Sequence, residues 1–196
     1  SNVALQYLSA TQGQIDQTQS RINSGLKVAN ARDDGAVSAI APHPRGAVAG
    51  YTSVINSINN GTSSIDVALS AGQSISDLLI QLKQKALSAA DSSLDTASRQ
   101  ALNANFTALR DQITTIVKNA VFNGFNLVDG STSQVTALAS ADGTRRITTS
   151  AQNMKLSGSI VTLKSTATVS THAKASALVA TIQTSLTNVN AALAKL

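Results

Sequence analysis

From Tyr51 onward, Val54, Ile58, Ile65, Leu69, Ile75, Leu79, Leu82, Ala86 and Ala89 recur at steps of three, four or seven, with a single slip. A strand alternates its side chains with a period of two and would scatter these residues over both faces; a helix gathers them on one. The run therefore predicts a long helix with a coiled-coil-like seam. Asp91-Ser-Ser ends it, and Asp95 or Thr96 can cap a second helix. There Leu102, Phe106, Leu109, Ile113 and Ile116 step by four and three, up to about Asn119. The short polar loop between the two stripes implies an antiparallel pair.

The flanks are less regular. Leu5, Leu8, Ile15, Ile22 and Leu26 form a weak helical stripe in which Gln12 and Gln19 occupy the intervening seam positions. Gly25 breaks it, Asn30 to Gly35 is turn-like in composition, and Pro42 and Pro44 predict that a helix begins or kinks between Ile40 and Gly46. After Asn119 the texture changes: Phe122-Asn-Gly-Phe carries a turn signal, and Ser131 to Ser170 alternates Thr, Ser, Val and Gly. Short strands are expected near Gln134–Ala139, Thr144–Thr149 and Ser159–Lys164, with Ala141-Asp-Gly-Thr as a hairpin turn. After Thr171 a helical stripe returns through Leu178, Ile182, Val189, Leu193 and Leu196. The expected fold class is mainly α: an elongated antiparallel helical bundle with coiled-coil-like seams plus a small β-hairpin region. The expected segments are 1–24, 25–45, 46–120, 121–170 and 171–196. An opening that reads as mid-helix, and a closing stripe still in phase at Leu196, are what a fragment would show.

Composition narrows the chemistry. Of 196 residues, 42% are hydrophobic but only 3% aromatic, and much of the apolar fraction is alanine, which contributes little burial per residue. Cys and Trp are absent, His43 and His172 are the only histidines, and all ten acidic residues are aspartates. Thiolate metal sites, disulfides, Glu-based acid/base pairs and most histidine-centred catalysis are thereby excluded, and no cofactor is expected. Asp33-Asp34 reads most simply as a turn and helix start, His43 as an exposed loop residue, and His172 as lying near a helix start. The net charge of +5 is dispersed, without the basic stripe and interleaved aromatics of a nucleic-acid binder, and Arg145-Arg146 reads as a solvated hairpin. No stretch approaches the roughly 20 apolar residues that would cross a membrane, so neither nucleic acid nor membrane insertion is expected.

Three stretches carry a family resemblance. Arg21-Ile-Asn-Ser-Gly-Leu-Lys-Val-Ala-Asn-Ala-Arg-Asp-Asp-Gly-Ala, Asn60-Gly-Thr-Ser-Ser-Ile-Asp-Val-Ala and Phe122-Asn-Gly-Phe-Asn-Leu-Val resemble the corresponding motifs of bacterial flagellin, the first being the most specific. The resemblance covers essentially the whole length, and the small central region resembles alphaproteobacterial members. It implies a structural, non-enzymatic subunit that self-assembles into the extracellular flagellar filament. Residues 1–24 would then be the end of the amino-terminal filament-core helix, 25–45 a spoke, and the remainder the adjoining rod domain, with a returning carboxy-terminal helix over 171–196. Family members continue into a further carboxy-terminal helix that completes the inner tube, so the resemblance implies a chain that stops before it and is monomeric alone. One departure is Pro42-His-Pro44 after Ala39-Ile-Ala, where the family normally continues with helix-compatible residues.

The implied partners are other flagellin subunits, an export chaperone, and the cap and hook-junction proteins, with export proceeding without a cleaved signal through the flagellar type III route. A filament needs heterologous contacts that do not close, and low charge density reduces repulsion between stacked copies. The expected contact residues are Arg21, Asn23, Lys27, Arg32, Asp33 and Asp34, together with Asn56, Asn59, Asn60, Asp66 and Asp77 on the long helix. Many flagellins carry Gln-Arg-Val-Arg-Glu-Leu-Ala where this chain has Ile80-Gln-Leu-Lys-Gln-Lys-Ala86, the patch read by the vertebrate innate flagellin receptor. The counterpart residues are Gln81, Leu82, Lys83, Lys85 and Asn105. Loss of a forked donor at Gln81 and of an apolar anchor at Lys85 predicts poor recognition by that receptor. The resemblance also raises sugars on the Ser/Thr-rich stretch Ser131 to Thr171. The alternative reading is a flagellin-like surface protein turned to adhesion or glycan binding, for which Tyr7, Tyr51 and three Phe make a poor carbohydrate platform.

Overall fold

The computed structural model describes residues 2–28 and 42–196, with side chains from residue 46 in the second stretch. In chain order it forms α1 (Asn2–Ser24), α2 (Pro42–Ala89), α3 (Thr96–Asn119), β1 (Gln134–Leu138), β2 (Arg146–Ser150) and α4 (His172–Leu193). The chain divides into two compact units, Ser1–Ser53 and Val54–Leu196. The fold is mainly α with one small antiparallel sheet. The Arg32-Asp33-Asp34 turn and most of the spoke lie outside the described residues.

In the first unit, α1 ends at Ser24 as the Gly25 break predicts, but its stripe is not a core: none of its residues is buried, and Leu5 and Ile22 are 64% and 74% exposed. The Thr11, Thr18 and Ser24 hydroxyls donate to carbonyls one turn back, which satisfies the hydroxyls without strengthening the helix. The helix α2 begins at Pro42, in keeping with proline's compatibility with a first helical turn, where its missing N–H breaks no internal bond.

The second unit is a three-helix bundle closed by loops. Ser76 of α2 hydrogen-bonds Asn190 of α4, and Lys83 bonds Gln183, so residue numbers rise along one helix as they fall along the other: the two are antiparallel. The α2–α3 turn is short, with Asp95 as N-cap accepting from Ser98 N at 2.9 Å. Arg99 reaches back over it, donating to the carbonyls of Ala89, Asp91 and Leu94. The core joins Ile75, Leu79 and Leu82 of α2, Phe106 and Ile113 of α3, and Ile182 and Val189 of α4 with Met154 and Leu163 from the loops.

The seam of α2 differs from its expected membership. Ile58 is exposed and Leu69 only half-buried. The buried line is Gly61, Ser64, Ala68, Ala71, Ile75, Leu78 and Leu82, an alternation of threes and fours whose first half is built from small residues. Small residues are needed because neighbours come close: a Cβ on Gly61 would stand 3.3 Å from Ala137 Cβ of β1, and one on Gly72 would lie 2.4 Å from Leu193 Cδ2 of α4.

The hairpin holds, with Gln134 opposite Ser150 and Leu138 opposite Arg146, around a turn closed by Gly143 N to Ser140 O at 3.0 Å. Ser57 Oγ of α2 accepts from Leu138 N at 2.9 Å and so anchors the end of β1 to the helix. The third expected strand, Ser159–Lys164, does not form; only an isolated bridge pairs Leu156 with Val161. The reason lies on α4, where buried Ser185 Oγ accepts from Thr162 N at 3.0 Å and from Leu163 N at 3.3 Å. Those N–H groups are satisfied by a helix side chain, which leaves them unavailable to a neighbouring strand.

Candidate subunit-contact and recognition surfaces

The residues expected to meet other subunits fall into separate groups. On the first unit Asn23 and Lys27 are exposed and Arg21 is half-buried in the last turn of α1; Arg32, Asp33 and Asp34 lie outside the described residues. On α2 of the second unit, Asn56, Asn59, Asn60, Asp66 and Asp77 are all exposed. Their side chains make no hydrogen bond or ion pair among the described residues, and their donors and acceptors face solvent. The periodicity that buries Gly61, Ser64 and Ala68 on one side forces these residues to the other.

The receptor-patch counterpart needs one correction. Gln81 is exposed and Lys85 half-buried, and Asn105 is exposed on α3, but Leu82 is fully buried in the helical core and presents no surface. Lys83 is half-buried and its Nζ donates to Gln183 Oε1 at 2.6 Å, so this cation already holds α4.

Several structural polar residues had no signal in an apolar stripe. Arg110 of α3 is 8% exposed, donating through Nη1 to Ala167 O at 2.6 Å and through Nε and Nη2 to Asp111 Oδ1 at 3.0 and 2.7 Å. Asn126 is buried, donating to Val117 O at 2.7 Å and accepting from Val128 N and Asp129 N at 2.9 and 3.0 Å. Asn103 Oδ1 takes Val169 N at 2.8 Å. Arg110 and Asn103 hold the segment between β2 and α4 to α3, and Asn126 ties the segment between α3 and β1 back onto α3. The signal that could have found Ser57 and Ser185 is heptad phase: both fall in seam register with large apolar residues on their helices.

Four aspartates act on local backbone. Hydrogen bonds from Ser93 to Asp91, from Ser98 to Asp95 and from Ser140 to Asp142 hold these carboxyls below their ordinary range. At Asp129 partial burial pushes upward, but the Ser131 hydroxyl and N–H outweigh it and the net direction is also down. Among the described residues no three His or Asp side chains gather into a metal-binding group, and no helix is long and apolar enough to cross a membrane.

The geometry is that of a helical bundle with a large-residue core, a small-residue stretch in the α2 seam, and an outer α2 face of exposed, unengaged Asn and Asp side chains. Residues 1–133 match the family model of the bacterial flagellin N-terminal helical region. The chain is 43% identical over 194 residues to flagellin FljK of Caulobacter vibrioides, spanning 99% of this chain and 70% of that one, and 42% identical over the same spans to flagellin FljM. Its fold is similar to the crystal structure of Bacillus cereus flagellin, with a TM-score of 0.62 at 22% identity over 72% of this chain and 80% of that one. The chain belongs to the bacterial flagellin family, and its function is that of a structural subunit of the flagellar filament. The kinship with alphaproteobacterial flagellins expected from the motifs holds. The adhesion alternative gains no support from these relatives.

Proposed function

We propose that this subunit meets its neighbours in the filament through the outer face of α2, with Asn56, Asn59, Asn60, Asp66 and Asp77 as contact residues, and through Arg21, Asn23, Lys27, Arg32, Asp33 and Asp34 nearer the amino terminus. The observation that carries this is the division of α2 into a buried small-residue seam and an opposite face whose Asn and Asp groups are exposed and unengaged. Amide and carboxylate groups of this kind give directional contacts between copies without a large apolar surface, so a subunit can be exported singly and still polymerise. The subunit acts without catalysis. It leaves the cell without a cleaved signal, escorted by an export chaperone, and adds below the cap onto the hook-junction proteins. The test is Asp66→Lys with Asp77→Lys in the full-length subunit: filaments shortened or lost by electron microscopy, with helical content unchanged, support the contact face. Normal filaments would overturn it.

A neighbouring stretch of α2 bears on host recognition. With Gln81 where many flagellins have Arg, Lys85 in place of Leu, and Lys83 bonded to Gln183, the patch lacks a forked cation and an apolar anchor, and the chain is a poor ligand for the innate flagellin receptor. A receptor-reporter assay should read little activation; activation equal to an enterobacterial flagellin would refute this.

A further inference from the structure

Phe122 and Phe125 form an antiparallel bridge, each N–H bonding the other's carbonyl at 2.9 Å, so Asn123 and Gly124 are the two residues of a tight turn. Both have positive φ, 49° and 82°, and both are exposed. Among the described residues the Asn123 side-chain amide has no hydrogen-bond partner and the Gly124 N–H donates to none. An unprotected amide is thus followed by a residue with no side chain to hinder its own backbone nitrogen.

We propose that Asn123–Gly124 is a site of spontaneous deamidation, at which this exported protein acquires aspartate and isoaspartate as it ages. The Gly124 backbone nitrogen, losing its proton to water or hydroxide, attacks Asn123 Cγ. The new N–Cγ bond closes a succinimide as the Cγ–Nδ2 bond breaks and ammonia leaves with the proton. Water then opens the ring: cleavage of N–Cγ gives aspartate, and cleavage of the bond from N to the former main-chain carbonyl carbon gives isoaspartate. One water enters and one ammonia leaves, with no change of oxidation state.

The other Asx-Gly pairs of the described chain lack one requirement each. Gly61, after Asn60, lies within α2, where its N–H belongs to the helical ladder. Gly143, after Asp142, donates to Ser140 O at 3.0 Å. Asp129, before Gly130, holds Ser131 N and Oγ at 2.8 and 2.5 Å and stays ionised, which makes its carbon a poor electrophile. The Phe122–Phe125 bonds must open before the Gly124 nitrogen can reach Cγ, so folding slows Asn123 relative to a free peptide while leaving it more reactive than Asn60. The product places a carboxylate in a turn whose closing Phe125 is 49% exposed, and the β-linkage lengthens a two-residue turn that Asn and Gly otherwise suit.

The test is incubation of the folded protein at mildly alkaline pH and physiological temperature, with peptide mapping, ammonia assay and isoaspartyl methyltransferase labelling. The expected result is isoaspartate at Asn123 ahead of Asn60, its loss in Asn123→Gly with an unchanged circular dichroism spectrum, and loss of the selectivity between the two sites in denaturant. Absence of isoaspartate at Asn123, equal reaction at Asn60 in the folded protein, or labelling undiminished in Asn123→Gly would overturn the proposal.

Discussion

Arg110 on α3 and Ala167 in the loop before α4 are joined by a buried hydrogen bond of 2.6 Å from guanidinium to main-chain carbonyl. The same guanidinium is bonded at its other nitrogens by Asp111, whose side chain is 62% exposed. The carbonyl, more than the ion pair, makes Arg110 structural, because the carbonyl would otherwise be buried without a partner. Arg110→Met keeps the apolar stem and removes the donor; it should cost about 2 kcal/mol in urea unfolding, the range of a charged hydrogen bond. Asp111→Asn should cost less than about 1 kcal/mol, since an exposed partner contributes little.

Gly72 meets α4 at the far end of a flexible side chain. A Cβ there would fall 2.4 Å from Leu193 Cδ2 and 3.3 Å from the sulfur of buried Met154, so Leu193 must move. Alanine gains about 1 kcal/mol of helix propensity over glycine, which offsets much of that shift, and Gly72→Ala should fall within about 1 kcal/mol of neutral. Gly72→Val also presses on Met154 and should lose about 1–3 kcal/mol by overpacking. In a Leu193→Ala background, Gly72→Ala should become stabilising by about 1 kcal/mol. Thermal melts of these variants provide the check, and a Gly72→Ala loss undiminished in that background would show that Leu193 is not the obstacle.

Asn126 satisfies three main-chain groups at the point where the chain leaves the bundle for the hairpin. Asn126→Ala should lose about 2–3 kcal/mol, as buried donors and an acceptor go unpaired. Asn126→Asp keeps the acceptor for Val128 N and Asp129 N but sets a carboxylate oxygen against the Val117 carbonyl, so it should be no better. Equilibrium unfolding that ranks Asn126→Asp with the wild type would contradict this geometry.

How much of this was legible depended on side-chain size. Ile75, Leu79, Phe106, Ile113, Ile182 and Val189 announce their helices because a large apolar residue has few places to go, and their periods survive into the core. Gly61, Ser64, Ala68 and Ala71 carry the seam just as strictly, but small residues are tolerated on either face and their phase shows only against a partner. A stripe of large residues therefore takes in Ile58, which is exposed. The strand expected at Ser159–Lys164 has strand-like residues, yet Ser185 in a later helix supplies its bonding partner, a long-range choice that local propensity does not contain. The outward placement of Asn56, Asn59, Asn60, Asp66 and Asp77 was legible, since Asn and Asp off the seam must face outward. Leu82 belongs to the stripe, as its spacing indicates; motif correspondence, which ignores helical phase, also places it on the receptor patch, where it presents no surface.

The aspartates predict the acid limb of stability. Asp91, Asp95 and Asp142 are held low by hydrogen bonds from Ser93, Ser98 and Ser140, and Asp129, despite the upward push of its partial burial, is held low by Ser131. A folded-state pKa below the unfolded value of 3.8 means that the unfolded chain binds protons first on acidification. The contribution is therefore present above that value and is lost as pH falls through the depressed folded one. Melting temperature should be level through the neutral range and decline once pH drops below the ordinary aspartate pKa of about 4. Asparagine also caps helices, so Asp95→Asn should retain most of the α3 cap while removing a titrating group. Its melting curve should fall less steeply with acid than that of the wild type, whereas Asp95→Ala should lose stability at neutral pH and likewise flatten below it. Parallel acid limbs for wild type and Asp95→Asn would mean that the Asp95 carboxylate has the same pKa folded and unfolded.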